Sequence, residues 1–314
     1  MMNFLKSKLT YQEILEEWIT DKKYIIKEQS YIKYINLINK HINPLLGDYN
    51  YKNLNNKDVE KFFQHADIKN LSSSTKKTII YIIKSSINYG VDRNIRKPLG
   101  DIDLKIKKAK SKVVYFTKHE QETLENYLES KNDIRALGIF LCLYTGIRLG
   151  EVCGLKWSDV DFNNKSITIN RTVQRIKNTN DSNGNKTKKI VSTPKSETSK
   201  RTIPLPDFLY SMMLKYKSNN NHYILTDSED FKDTRVFEKY LENTLKKCYI
   251  RNLNFHTLRH TFATRSIESG MDIKTLSEIL GHASYHITLD IYVHSTIDQK
   301  RDCINNLVSY LNNS

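Results

Sequence analysis

Apolar residues recur every three or four positions through the first ninety residues of the chain, which is the spacing of amphipathic helices. The first such stretch opens with Thr10 and Glu13, which have the spacing of a capping box. Four helices in about ninety residues predict a compact helical domain. The helices are predicted at residues 10–27, from Ser30 to a stop at Pro44 and Gly47, at about 56–65, and from the Ser72–Thr75 cluster to just before Gly90.

Beyond residue 114 the pattern mixes helical spacing with short strand-like alternation. Residues 165–172 alternate apolar and polar side chains and predict a strand, and residues 188–192 and 201–204 predict two more. Between the first two strands, residues 177–189 contain an Asn-Gly pair, which predicts an exposed hairpin tip of unassigned function. Further helices are predicted at residues 117–128, 133–146, 206–217, 234–250, 257–269 and 272–280.

The two parts are joined by residues 97–114, which lose the helical periodicity and accumulate lysines. This composition predicts a basic linker between a helical domain at residues 1–96 and a second domain at residues 115–314. If such a linker crossed a nucleic-acid duplex it would neutralise phosphates, and binding would then depend steeply on salt. The linker lysines expected to face a polyanion of this kind are Lys107, Lys108 and Lys110.

The whole chain is basic, with 50 Lys and Arg against 35 Asp and Glu, for a formal charge of +15. This charge favours a polyanionic partner but does not choose between nucleic acid and an anionic membrane. The chain has no run of about eighteen apolar residues and no signal-peptide pattern, so a cytoplasmic protein with no membrane role is expected. The four cysteines contain no CxxC pair that would suggest a zinc or redox site.

Residues 255–294 concentrate the side chains that can do chemistry. His256 and Arg259 lie three positions apart on one predicted helix face, His282 closes a second short helix, and Tyr292 follows ten residues after it. Arginine binds phosphate oxygens through two parallel hydrogen bonds, imidazole binds or moves protons, and a phenol can be a nucleophile. This set suits a phosphodiester.

A metal site is the competing interpretation, because His256 and His260 have the i, i+4 spacing of a zinc-binding helix. The glutamate of the HExxH motif is missing, since Thr257 takes its place, and no second motif supplies a third ligand. We therefore expect no metal here and assign His260 a packing or supporting role.

Three segments resemble the signature of the tyrosine recombinases, the phage integrase family. HTLRH, then LGH, then a tyrosine ten residues after that histidine resemble its C-terminal motifs. CLYTGIRLGEVCGLKWSDVDF at residues 142–162 resembles the segment with the family's first arginine, which falls on Arg148. TPKSETSKRTIPLP at residues 193–206 resembles its lysine-bearing β-hairpin, which favours Lys195, although Lys200 at the other end of the same turn stays open.

The resemblance implies a mainly α fold with a small antiparallel β-sheet, built from a helical core-binding domain and a mixed α+β catalytic domain. It implies a DNA strand transfer through a 3′-phosphotyrosyl intermediate, with no cofactor, metal or ATP. Glu151 is expected to hold Arg148 when DNA is absent. The implied roles are the nucleophile Tyr292, the charge-stabilising Arg148 and Arg259, the hydrogen-bond donor His282, the base His256 and the acid Lys195.

The implied substrate is double-stranded DNA, bound by a homotetramer. The helix that opens with Ser73, Thr75, Lys76 and Lys77 combines hydroxyls and amines that suit a DNA backbone. An apolar stripe after Tyr292 is expected to dock this C-terminal tail onto a neighbouring subunit. A directionality factor is a further partner that the resemblance suggests.

Two other functions compete with recombination. A type IB topoisomerase-like enzyme would use a similar set of residues to relax DNA without exchanging partners. A DNA-binding regulator could have kept the fold without catalysis, but all six chemical positions are filled in this chain. Integration or excision of a mobile element is the preferred task, because the long hairpin departs from a minimal resolvase-like form.

Overall fold

The computed structural model describes residues 9–100, 113–177, 187–193 and 200–292, together with residues 301, 304, 305, 308 and 311; of residues 177 and 290–292 it describes the backbone only. The chain divides into two compact units, residues 1–111 and 112–314. The predicted boundaries of the linker stay a prediction, since Lys107, Lys108 and Lys110 lie outside the described residues.

The first unit is helical, and each of the four predicted helices is present. The predicted capping box is confirmed, because Thr10 N–H donates to Glu13 Oε2 at 2.9 Å and Glu13 N–H donates to Thr10 Oγ1 at 3.3 Å. The helices of this unit are α1 Tyr11–Lys22, α2 Glu28–Leu37, α3 Asn43–Leu46, α4 Asn56–Gln64, α5 Ala66–Lys69 and α6 Ser73–Asp92.

Two predicted helix stops in this unit are wrong. Pro44 does not end the second helix: α2 passes through a π-helical turn at Ile38–Ile42 into α3, where Pro44 occupies the first turn and its missing N–H costs nothing. Gly90 does not end α6 either. A Cβ at Gly90 would lie 2.1 Å from the Tyr51 hydroxyl, so this glycine admits the Tyr51 ring against the helix.

The second unit combines helices with two small antiparallel sheets, in agreement with the predicted fold class. One sheet contains the strands 160–161, 166–169 and 201–204 in this order, and residues 172–177 pair with residues 187–192 in a separate hairpin. The helices are α7 Lys118–Glu129, α8 Ile134–Thr145, α9 Leu149–Cys153, α10 Asp207–Tyr216, α11 Thr234–Lys247, α12 His256–Glu268, α13 Ile273–Leu280 and α14 Tyr285–Tyr292. The strands are β1 Val160–Asp161, β2 Ser166–Ile169, β3 Thr172–Lys177, β4 Thr187–Ser192 and β5 Arg201–Pro204.

The single strand predicted at residues 165–172 is wrong, because β2 ends at Ile169 and β3 begins at Thr172 in the other sheet. Asn170 Nδ2 donates to Asp159 Oδ1 at 2.9 Å, and Arg171 forms an ion pair with the same buried carboxylate. These two polar anchors turn the chain between sheets, which apolar alternation alone does not reveal.

The core of the second unit is centred on one apolar helix. Helix α8 is buried along nearly its whole length and packs against α12. Among the described residues, no helix is long and apolar enough to span a membrane.

Candidate active site

Arg259 lies in the first turn of α12 and is almost completely buried, with 2% of its surface exposed. Its Nη1 donates to the Gly146 carbonyl oxygen at 2.8 Å, and its Nη2 donates to the Leu280 carbonyl oxygen and to His282 Nε2, each at 2.8 Å. These three acceptors bind three of the five guanidinium N–H donors, and none of the three carries a full negative charge. They orient the Arg259 guanidinium without neutralising its charge.

Arg148 is the N-cap residue of α9, directly after the turn that ends α8. Its Nη1 pairs with Glu151 Oε1 at 2.7 Å, and its Nη2 donates to the Gly281 carbonyl oxygen at 3.1 Å. Its side chain is 37% exposed, in contrast to Arg259. Arg148 is thus the more accessible of the two arginines.

Glu151 is buried between two arginines. Besides Arg148, it accepts from Arg201 Nη1 at 3.2 Å and from Arg201 Nη2 at 2.9 Å. Burial would raise the pKa of the Glu151 carboxyl, but the Arg201 hydrogen bonds and the charges of Arg201 and Arg148 lower it to about 2. The carboxylate is therefore ionised and orients Arg148 in the absence of DNA.

Arg201 opens strand β5 and ties this carboxylate to α13. Its Nε donates to the Ile279 carbonyl oxygen at 2.5 Å, and its side chain is only 6% exposed. Three successive carbonyls at the end of α13 thus accept from three arginines. We call Arg148, Arg201 and Arg259 the cationic cluster.

Two glycines in the left-handed conformation create the carbonyl positions that the cluster uses. Gly146 ends α8 with φ of 65°, and Gly281 ends α13 with φ of 64°. A Cβ on Gly146 would approach Phe262 to 2.5 Å and Leu280 to 2.7 Å, so only glycine fits there. Both helices therefore end where their last carbonyls meet arginine side chains.

His282 links Arg259 to α14. Its Nε2 accepts from Arg259, and its Nδ1 is 2.8 Å from Thr288 Oγ1. Burial, followed by the charges of Arg259 and Arg148, lowers the pKa of His282 to about 4. The imidazole is consequently neutral near pH 7.

His256 and His260 lie one turn apart on α12, with ring centroids 4.4 Å apart in an edge-to-face arrangement. His256 is exposed on its outer side, but partial desolvation and the charges of Arg259 and Arg148 lower its pKa. Burial, followed by His256 and Arg259, lowers the pKa of His260 to about 4. Both rings are neutral near pH 7, and a neutral His256 is free to accept a proton.

For two predicted catalytic residues, Lys195 and Tyr292, the structure describes no side chain. Lys195 lies outside the described residues, while the alternative Lys200 is exposed just before β5. Tyr292 is the last residue of α14, and the structure describes its backbone only. The roles assigned to these residues stay predictions.

The DNA-contact residues predicted in the first unit lie at the start of α6. Thr75 N–H donates to the N-cap Ser72 Oγ at 3.1 Å, and Lys76 Nζ donates to the Lys69 carbonyl oxygen at 2.6 Å. Lys77 is exposed, whereas Ser73 is partly buried. Thr75 and Lys76 therefore have structural hydrogen bonds in the absence of DNA.

Sequence reasoning missed two polar residues of the site, Arg201 and Thr288. Arg201 lies on the inward phase of β5 with Ile203, and an arginine at an inward strand position needs an anionic partner. Thr288 is fully buried and precedes Tyr292 by one helical turn. The alternation of the RTIP segment could have indicated that Arg201 points inward. The four-residue spacing between Thr288 and Tyr292 could have indicated that the two lie on one helix face.

Comparison with known proteins places these features in a family. Residues 114–299 match the family model described as phage integrase family, and residues 10–66 match the model of the phage integrase N-terminal SAM-like domain. The tyrosine recombinase XerC-like protein of Caldanaerobacter subterraneus subsp. tengcongensis is 27% identical to this chain, over 95% of the chain and 83% of the relative.

Solved structures agree with this fold. The Tn1549 transposon integrase in complex with a circular intermediate DNA superposes with a TM-score of 0.75 at 21% identity, over 96% of this chain and all of that one. A lambda integrase tetramer bound to a Holliday junction superposes with a TM-score of 0.66 at 17% identity, over 92% of this chain and 78% of that one. At these identities the similarity concerns the fold.

Proposed function

The chain belongs to the phage integrase family, and on that premise we propose that it cleaves and rejoins DNA strands through a covalent tyrosyl intermediate. The observation that carries the proposal is the convergence of Arg148 and Arg259 on the carbonyls that end α13, beside neutral His256 and His282. Preorganised donors of this kind stabilise the charge that develops on a phosphate in the transition state.

In the proposed reaction Tyr292 attacks the scissile phosphorus and forms a 3′-phosphotyrosyl bond, which releases a 5′-hydroxyl. Free tyrosine has a pKa of about 10, so its proton must leave as the bond forms, and neutral His256 is the acceptor. Lys195 returns a proton to the leaving oxygen. Attack by a 5′-hydroxyl of another strand on the phosphotyrosine reverses the step and joins that strand.

The chemistry proposed here uses neither a divalent metal nor ATP. Arg148 and Arg259 supply the positive charge that metal ions supply in two-metal nucleases. The phosphotyrosyl bond conserves the energy of the broken phosphodiester, so rejoining needs no nucleotide. Cleavage should therefore persist in EDTA without added nucleotide.

The first unit and the linker lysines are proposed to hold the DNA backbone. Lys77 is exposed at the N-terminus of α6, where hydroxyl, amide and amine donors come together. Removal of one lysine that neutralises a phosphate should reduce the slope of log affinity against log salt by about 0.9. Lys77→Gln should flatten the slope by about that amount, and an unchanged slope would remove Lys77 from the interface.

A homotetramer on DNA is proposed from the C-terminal tail. Ile304, Val308 and Leu311 have helical spacing and are 50–63% exposed among the described residues, so they form an exposed apolar stripe. The lambda integrase, whose fold is similar, has been seen as a tetramer on a Holliday junction. A chain truncated at Ser295 should still bind DNA but lose higher-order complexes; intact assembly would contradict the role of the tail.

Covalent trapping tests the proposed reaction. Duplexes selected for binding from a randomised pool would be nicked near their centre and incubated with the protein in EDTA, next to Tyr292→Phe. We expect a covalent protein–DNA band on a denaturing gel that the variant lacks. Absence of this band on every bound duplex would favour the catalytically silent DNA-binding alternative.

A second assay separates recombination from the topoisomerase-like alternative. The protein would be incubated with a supercoiled plasmid that contains a sequence it cleaves in the trapping assay, together with a labelled linear duplex of the same sequence. Transfer of label into the plasmid supports recombination. Relaxation without transfer, abolished in Tyr292→Phe, would identify a relaxing enzyme.

A further inference from the structure

The hydrogen bonds of His282 define which of its nitrogens carries the proton. Arg259 Nη2 lies 2.8 Å from His282 Nε2, and a guanidinium has donors but no acceptor. Nε2 must therefore offer its lone pair in this conformation. A neutral imidazole carries one proton, so that proton is on Nδ1.

The proton on Nδ1 has a defined acceptor. Thr288 Oγ1 lies 2.8 Å from Nδ1, and Thr288 is completely buried on α14. Because the Nδ1–H must donate, the threonine oxygen accepts. The two hydrogen bonds run in series from Arg259 through His282 to Thr288. In this conformation the arginine determines which atom donates in each of them, because it can only donate.

These two hydrogen bonds connect two helices that the proposed reaction must bring together. Arg259 belongs to α12, whereas Thr288 belongs to α14, the helix that ends with Tyr292 four residues later. Among the α14 side chains that the structure describes, Thr288 alone bonds to the His282 ring. The helix that carries the proposed nucleophile is thus linked to this imidazole by a hydrogen bond.

We propose that Thr288 is a positioning residue, which fixes the Nδ1–H tautomer of His282 and ties α14 to the cationic cluster through that ring. The kinetic part of this inference rests on the proposed function, whereas the tautomer part does not. With the lone pair on Nε2, His282 accepts from Arg259 and holds that guanidinium before DNA arrives, so in this state Nε2 is not the hydrogen-bond donor that the resemblance implies. Arg259 and Thr288 fix the tautomer together. Without the Thr288 oxygen the Nδ1–H loses its acceptor, so the ring is no longer held in the orientation that presents Nε2 to Arg259, and the tautomer is free to change.

Two substitutions separate this role from simple packing. Thr288→Val keeps the shape of the side chain and removes the hydroxyl, and Thr288→Ser keeps the hydroxyl. Thr244 on α11 is the matched control, because it is also buried, at 4% exposure, and its hydroxyl donates to the Tyr240 carbonyl oxygen at 2.9 Å. Thr244→Val should lower stability comparably without touching His282.

The first readout is the nitrogen NMR spectrum of full-length, DNA-free protein labelled in its histidines, with the His282 signals assigned by His282→Gln. We expect the wild type and Thr288→Ser to have a protonated Nδ1 and an unprotonated Nε2 near pH 7. Thr288→Val should lose this single tautomer, and Thr244→Val should keep it. An unchanged His282 spectrum in Thr288→Val would overturn the proposal.

The second readout is single-turnover cleavage of the nicked duplex between pH 5.5 and 8.5, at saturating protein. Thr288→Val should cleave about 10- to 100-fold more slowly, the range seen when the partner that orients a metal-bound imidazole is removed, whereas Thr288→Ser should stay within about 3-fold. Equal rates and equal pH profiles for Thr288→Val and wild type would also overturn the proposal. If the wild type forms no covalent complex, the proposed function fails, and the NMR result alone decides the role of Thr288.

Discussion

Arg148 and Arg259 donate to consecutive main-chain carbonyls at the end of a single helix, Arg259 to Leu280 at 2.8 Å and Arg148 to Gly281 at 3.1 Å. The C-terminus of a helix carries a partial negative charge, which favours both guanidinium groups, and Arg148 is paired in addition with Glu151. The spacing of the two positive groups is consequently set by the backbone of α13. A phosphate that enters would meet arginines that are already oriented.

Substitution of Arg148 by lysine should slow cleavage by about 100- to 1,000-fold, the cost of losing one preorganised donor to the transition state. Lysine keeps the charge but cannot bind Glu151 and a phosphate at once through a planar fork. Single-turnover trapping measures the rate. Arg251→Lys is the matched control, since Arg251 pairs with Glu120 on the surface of the same unit. A wild-type rate for Arg148→Lys would contradict the role of the fork.

Substitution of Arg201 by methionine should destabilise the second unit by about 3–5 kcal/mol, because it removes a partner from a buried carboxylate. Adding Glu151→Gln should restore part of this loss, since it removes the buried negative charge that Arg148 alone then balances. Urea unfolding can be followed by Trp157 fluorescence in a Trp18→Phe background, because Trp157 is then the sole tryptophan. Strictly additive effects of the two substitutions would argue against the pair.

Stability should fall between pH 6.5 and pH 4 because of His260 and His282. Their folded-state pKa values are about 4, below the ordinary value of 6.5, so the unfolded chain binds more protons in this window. Each histidine contributes at most about 1.4 kcal/mol per pH unit. His260→Gln should flatten the decline, whereas His119→Gln on the exposed surface of α7 should not. Urea midpoints across the window provide the measurement; equal slopes for wild type and His260→Gln would refute it.

Gly146→Ala should be more destabilising than Gly270→Ala. Both positions have positive φ, of 65° and 88°, but a Cβ at Gly146 would clash with Phe262 and Leu280, while Gly270 has open space. Left-handed backbone costs a non-glycine residue about 1–2 kcal/mol, and overpacking adds about 1–3 kcal/mol at Gly146 alone. Thermal or urea unfolding measures both variants. Equal losses would show that the clash is relieved by movement of α12.

Periodicity and turn chemistry predicted most helices of this chain, because their stops and starts are local. Thr10 and Glu13 are close in sequence, and the capping box follows from their spacing. Gly90 shows the limit of this reasoning, since its role is to admit Tyr51, a residue from a distant segment. The same applies to the break after Ile169, which depends on Asp159.

The motifs pointed to Arg148, His256, Arg259 and His282, and the fold brings these four side chains together. Their partners could not be derived from the same motifs. Arg201 and Thr288 were missed because each contributes through a contact with another element, to Glu151 and to His282 respectively. A main-chain acceptor such as the Leu280 carbonyl cannot be recognised from the sequence, because every residue has a carbonyl oxygen.

Dependence on main-chain acceptors also determines how this protein can lose activity. The side chain at position 280 could change while its carbonyl still bound Arg259, but a one-residue insertion within α13 would rotate its last carbonyls by about 100°. Each arginine, histidine and tyrosine would still be present in the altered sequence. A chain can therefore retain every motif of its family and be inert, and an inventory of motifs would count it as active.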